Sequence, residues 1–190
     1  MSNLPEIPKD TSINALLSEF MPNLATDMLK EANAKAELEG TEISMVVEVG
    51  GDIYSYVVTN GESVNFTQGD LDGAMLRMKI SENDLSKMIE TGNLDMILGI
   101  QKDLNRAKYN ALSSLRGSFI AEVSDVGDAT VSIEAILNGA TDPQSTFKMN
   151  ANDTAALMRK ETNPVNLFMS GAMKIEGDMG FAMATQPLFS

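Results

Sequence analysis

The sequence predicts an α+β fold, a mostly antiparallel, mixed β-sheet covered by helices on one face. Three observations predict it. Residues 43 to 49 (ISMVVEV) and 74 to 80 (AMLRMKI) alternate at a period of two, the mark of strands with one buried side. Glycine- and asparagine-rich dipeptides, Gly50-Gly51 and Asn60-Gly61, separate successive apolar runs as antiparallel turns require. Apolar residues of helical spacing flank these strands rather than alternating with them one by one, which points away from a doubly wound parallel sheet.

The elements follow in order. Residues 1–10 contain Pro5 and Pro8 and lack periodicity, so a flexible arm is expected. Asp10, Thr11 or Ser12 caps a helix with Ile13, Leu16, Leu17 and Phe20 on one side. Pro22 is expected to kink or divide that helix, because proline removes a helical hydrogen bond. Leu24, Met28 and Leu29 continue the stripe towards Gly40. Ile43, Met45, Val47 and Val49 then form a strand whose partner spans Ile53 to Thr59, with a third from Ser63 to Thr67. In the fourth, Ala74, Leu76, Met78 and Ile80 point opposite to Arg77 and Lys79. Ser81 or Asn83 opens a helix bearing Leu85, Met88 and Ile89. From Leu94 to Leu115 the pattern is helical, with a break at Gly99 and with Leu104, Ala107, Ala111 and Leu115 near one face.

After Gly117 the order of elements repeats. GSFIAEVSD and DATVSIEAILNG are two strands ending in Asn138-Gly139, as the earlier runs end in Asn60-Gly61. STFKMNANDTAALM echoes LRMKISENDLSKMI, and NPVNLFMSG echoes GNLDMILG. A degenerate duplication explains this, and so does the common reuse of strand and cap residues. The expected organisation is residues 11–112 as a first helix, β-meander and helix unit and 113–190 as a second, joined in one compact body. The first half has no counterpart of the strand in AMKIEG, and the second lacks a third strand between Asn138 and Ser145.

Composition narrows the function. The chain of 190 residues has no Cys and no His, which excludes thiolate nucleophiles, Cys-ligated metal sites and the Ser-His and Cys-His couples. The net charge of −13, with 14 basic against 27 acidic residues, repels phosphate backbones and anionic headgroups. The densest basic patch, Lys102, Arg106 and Lys108, has Asp103 among it. Nucleic acid is not an expected partner, and membrane contact is expected to be transient at most. No apolar run reaches the roughly 18 residues of a membrane span, and the N-terminus lacks a signal-peptide pattern, so a cytoplasmic location is expected.

The most informative stretch is NPVNLFMSGAMKIEGDMGFAMA, residues 163 to 184, which holds four methionines. Asn163 caps a helix that accepts Pro164 in its first turn, with Val165, Phe168 and Met169 on its buried side. Gly171 stops it, and Met173 and Ile175 face one way along a strand. Gly177 and Asp178 turn the chain into a short helix carrying Met179, Phe181 and Met183. In order and spacing, Asn163-Pro164, Phe168, Gly171, Met173-Lys174-Ile175, Gly177, Met179-Gly180 and Ala182-Met183 resemble the C-terminal signature of the sterol carrier protein 2 family. The resemblance is best over residues 117–190. It implies a lipid tunnel closed by the Met-Gly helix, lined by Leu157, Val165, Phe168, Met169, Met173, Ile175, Met179, Phe181 and Met183.

Methionine is unbranched and polarizable and adapts to irregular apolar shapes. Fourteen Met with no Trp and 7 Phe suit a deformable cavity, although each methionine also suits an ordinary core. The expected function is non-catalytic binding and transfer of a fatty acyl or sterol-like lipid, with no cofactor and no metal. Two alternatives remain open. One is a carboxylate-based or metal-assisted enzyme using Asp70 and Asp72 or Asp125 and Asp128, pairs whose turn positions also suit plain solvation. The other is a protein-interaction module with an external methionine patch.

Overall fold

A computed structural model of the chain describes residues 5–99 and 104–189. The first four residues of the arm, and Lys102 and Asp103 of the basic patch, lie outside the described residues.

Ser12 is the cap that starts the first helical run, its hydroxyl accepting from the Ala15 amide at 3.1 Å. The run passes from α1 (Ile13–Ala15) through a π-helical segment (Leu16–Phe20) into α2 (Met21–Glu31). The expected division at Pro22 does not occur. The run continues unbroken from Ile13 to Glu31, with proline as the second residue of α2 directly after the wider π turn. Leu16, Leu17 and Met21 are fully buried. Asn33, in the left-handed conformation with φ 51°, instead separates α2 from α3 (Ala34–Leu38).

Eight strands form one mixed sheet: β1 (Glu42–Val49), β2 (Asp52–Thr59), β3 (Ser63–Gln68), β4 (Leu76–Ile80), β5 (Gly117–Val126), β6 (Ala129–Leu137), β7 (Gln144–Asn150) and β8 (Lys174–Gly177). Their order is β3-β2-β1-β4-β6-β5-β7-β8. All neighbours are antiparallel except β1 with β4 and β5 with β7. The seam between β4 and β6 answers the two gaps in the sequence pattern. β4 lies beside β6, where a third strand of the second half would pair, and β6 lies beside β4, where a last strand of the first half would pair.

The pleat sorts the side chains into two faces. Rows such as Met78–Ala135–Phe119 and Ile80–Ile133–Ala121–Phe147–Ile175 run across the inner face. The outer face carries alternating charge: Glu48 pairs in register with Lys79, and Lys79 with Glu134. Arg77 bridges Asp70 at 2.5 Å and Glu48 at 3.5 Å, and Lys148 lies 3.0 Å from Glu176 and 3.7 Å from Glu122. Helices cover the inner face and leave the charged one open to water, which keeps ion pairs in high dielectric where they cost no desolvation.

The remaining helices are α4 (Glu82–Thr91), α5 (Asp95–Gly99), α6 (Arg106–Ser114), α7 (Ala151–Met158), α8 (Pro164–Ser170) and α9 (Met179–Ala184), followed by a 3-10 turn, Gln186–Phe189. Ser81 is the cap of α4, accepting from the Asp84 amide at 3.1 Å. The helical pattern from Leu94 to Leu115, with its expected break at Gly99, is α5, which ends at Gly99, and α6 among the described residues. Asn105 is extended (φ −142°) and accepts from the Lys108 amide at 2.9 Å, so it caps a new helix rather than continuing the old one.

Candidate functional site

Beneath β5, β7 and β8 the sheet does not pack shut. On the inner face Ala121 stands between Ile133 and Phe147, and this small side chain leaves space that its larger neighbours frame. The result is a cavity of about 240 Å³. Its floor is Phe119 and Ala121 from β5, Phe147 and Met149 from β7, and Ile175 from β8. Its roof is Leu157 from α7, Pro164, Val165, Phe168 and Met169 from α8, and Ala182 and Met183 from α9. Met96, Met173, Thr185, Gln186 and Phe189 complete it.

The local sequence explains how the roof is hung. Asn163 caps α8 by accepting from the Asn166 amide at 2.9 Å, with Pro164 in the first turn. Gly171 ends α8 in the left-handed conformation (φ 78°), and the Met173 amide then donates back to Leu167 at 3.0 Å. That bond holds Met173 inward, 3% exposed. Gly177 (φ 88°) makes the joint into α9: a β-carbon there would lie 2.5 Å from the Gln144 carbonyl oxygen. The Asp178 amide donates to that same carbonyl at 2.9 Å, and its carboxylate caps α9 by accepting from the Phe181 amide at 2.7 Å.

The cavity opens between α8 and α9. Val165, Phe168 and Met183 line it yet remain 43%, 42% and 52% exposed, and Met169 is 78% exposed. Of the nine residues named from the sequence, Leu157, Val165, Phe168, Met169, Met173, Ile175 and Met183 line the space. Met179 and Phe181 do not. Met179 lies outward on α9, 44% exposed, and Phe181 is buried against Gly117, where a β-carbon would meet its ring at 2.5 Å.

Sequence reasoning named Ile175 of the floor but passed over the rest of it and one end. Phe119, Ala121, Phe147 and Met149 are alternate positions of β5 and β7, and the signal was the period of two in SFIAEV and STFKMN. Which of several alternating strands would meet the signature helices was not written in that period. Phe189 forms edge-to-face contacts with Phe119 at 5.7 Å and Phe147 at 6.3 Å, an end wall that no local pattern announced.

Among the described residues the cavity wall contains no ionisable side chain. Its Thr185 hydroxyl is engaged, donating to the Ala182 carbonyl at 2.7 Å. The acidic pairs lie elsewhere, in surface turns. Asp70 accepts from the Arg77 guanidinium and the Leu71 amide, which hold its carboxyl below the usual carboxylate range. Lys87, 2.5 Å from Asp128, lowers that carboxyl in the same way. Asp72 and Asp125 are exposed. Among the described residues no group of acidic side chains is arranged to hold a metal ion. None of the described helices is long and apolar enough to cross a membrane.

Residues 99–190 match the model of the SCP-2 sterol transfer family. Over these residues the chain is similar to that family. The SCP-2 match takes in α6 and every cavity element except Met96, and it begins ahead of the region of best resemblance. Similar solved structures include the sterol carrier protein domain 2 of Helicoverpa armigera, at 23% identity over 54% of this chain and 84% of that one, with a TM-score of 0.36. Sterol carrier protein 2 of Yarrowia lipolytica, in its apo form, is 14% identical over 93% of this chain and 81% of that one, with a TM-score of 0.23. The ubiquinone synthesis protein UbiJ-SCP2 is 11% identical over 94% and 93%, with a TM-score of 0.29. The comparison with curated proteins gave no match.

Proposed function

We propose that the protein binds and transfers a lipid, holding its apolar part in the cavity between β5, β7, β8 and the helices α7 to α9. The observation that carries this reading is a buried space whose described walls are apolar and free of ionisable groups, and which opens to solvent at a methionine-rich rim. The match of residues 99–190 to the model of the SCP-2 sterol transfer family supports it. The driving force is removal of ligand surface from water, about 0.8 kcal/mol for each buried methylene. Flexible methionines reshape the cavity around different chains, so selectivity is weak. No step of chemistry is assigned, because no described residue of the wall is ionisable.

The rim formed by Val165, Phe168, Met169 and Met183 is where a lipid enters and leaves. The net charge of −13 directs such brief contact towards zwitterionic rather than anionic surfaces. The deciding test is displacement of a fluorescent fatty acid from wild type and from Ala121→Leu. Leucine at 121 fills the floor of an existing space, so it should weaken binding at least tenfold while leaving the melting temperature unchanged or higher. Equal binding by both proteins would place the ligand elsewhere, and no binding by wild type would end the lipid reading.

A further inference from the structure

The voids beneath the sheet do not stop at the seam between the halves. A second apolar space of about 40 Å³ lies under the first half, walled by residues that include Ala25, Met45, Tyr56 and Val64. A neck of about 10 Å³ lies between it and the main cavity. The neck shares Leu76, Leu104 and Leu112 with the first-half void and Phe119 and Phe189 with the main cavity. Leu104, Lys108 and Leu112 all line it, the last two one turn apart on α6.

We infer that these spaces are one binding channel, and that the first half of the chain forms its far end for the tail of a long, unbranched acyl chain. This rests on the lipid reading above and narrows its ligand. A neck so small admits a polymethylene chain, whose cross-section is that of a single carbon row, and stops the fused rings of a sterol. The partition is Phe189, one residue from the C-terminus in the last 3-10 turn, half-buried and held on this side by its contacts with Phe119 and Phe147. A ring in that position swings aside by changing its own rotamer, without moving a strand.

The test is a chain-length series of fatty acids, from about eight to about twenty carbons, against wild type, Ala25→Leu and Phe189→Ala. Each methylene that finds a place should tighten binding about fourfold. In wild type the gain should continue past the length that fills the main cavity. Ala25→Leu plugs the far end, so it should leave the shortest acids unaffected and weaken the longest roughly tenfold or more. Val64→Phe, on the edge strand β3 and half-buried, fills the same void should Ala25→Leu fail to fold. Phe189→Ala joins the compartments and should move the optimum to longer chains. A sterol competitor should bind wild type and the far-end variants alike. Length profiles that level off at one carbon number in every protein would overturn the channel while leaving the lipid reading intact. So would far-end variants that weaken short and long acids equally. Failure of wild type to bind any fatty acid would overturn both.

Discussion

Two methionines on one short helix differ in what they touch, and the difference can be measured. Met183 lines the cavity mouth and Met179 does not, although both are about half exposed. A lysine at either position can reach water with its ammonium, so neither variant should lose more than about 0.5 kcal/mol of stability. Met183→Lys should nevertheless weaken fatty-acid binding about tenfold, and Met179→Lys should leave it unchanged, as read by titration calorimetry alongside thermal melts. Buried polar atoms behave differently. The Tyr56 hydroxyl donates to the Leu17 carbonyl in the first-half core, and burial pushes its ionisation well above the usual tyrosine range. Tyr56→Phe strands that carbonyl and should cost about 1–3 kcal/mol in a denaturant melt. Exposed pairs set the acid limb. Asp70 and Asp128 have carboxyls lowered in the folded state, so their stabilisation is present above the unfolded value near pH 4 and disappears as pH falls through the lower folded value. The double variant Asp70→Asn, Asp128→Asn should therefore be less stable than wild type at neutral pH and equal to it near pH 2.

At the scale of elements, the joint between β8 and α9 is the least tolerant point of the roof. Gly177 combines a left-handed backbone with a carbonyl 2.5 Å from where a β-carbon would stand. Gly177→Ala should cost about 1–3 kcal/mol, and hydrogen exchange should show the loss concentrated in β8 and α9. The sequence made these elements legible because each carries its own stop signal. Asn163 with Pro164, Gly171, and Gly177 with Asp178 are local devices whose effect needs no distant partner. Pro22 and the helix from Leu94 were less legible for the opposite reason. Proline usually interrupts a helix interior, but here the π segment before it carries the run through Pro22 without a break. Asn105 looked like one polar residue within a helical pattern until its extended backbone turned it into a cap.

At the scale of the molecule, the β4–β6 seam makes each half supply an edge that the other lacks. We propose on this basis that residues 11–112 and 113–190 are related units folded as one body. The consequence is cooperative. Calorimetry should record one thermal transition, with the calorimetric and van't Hoff enthalpies equal, because losing either half exposes an unpaired central strand of the other. Two resolved transitions would separate the halves.

The sequence by itself determined the strand periods, the caps, the signature turns of the last thirty residues and the absence of thiol and imidazole chemistry, since each of these is a property of residues a few positions apart. It also revealed two vacancies, the missing last strand of one half and the missing third strand of the other. Only the tertiary structure decided that β4 and β6 pair. The same holds for the cavity: Ala121 between Ile133 and Phe147 becomes a hole, and Phe189 becomes its end wall, only when strands remote in sequence are set side by side. A period of two says which side of a strand is buried, but which residue faces which is set by register across the sheet, and register depends on contacts that no local pattern contains.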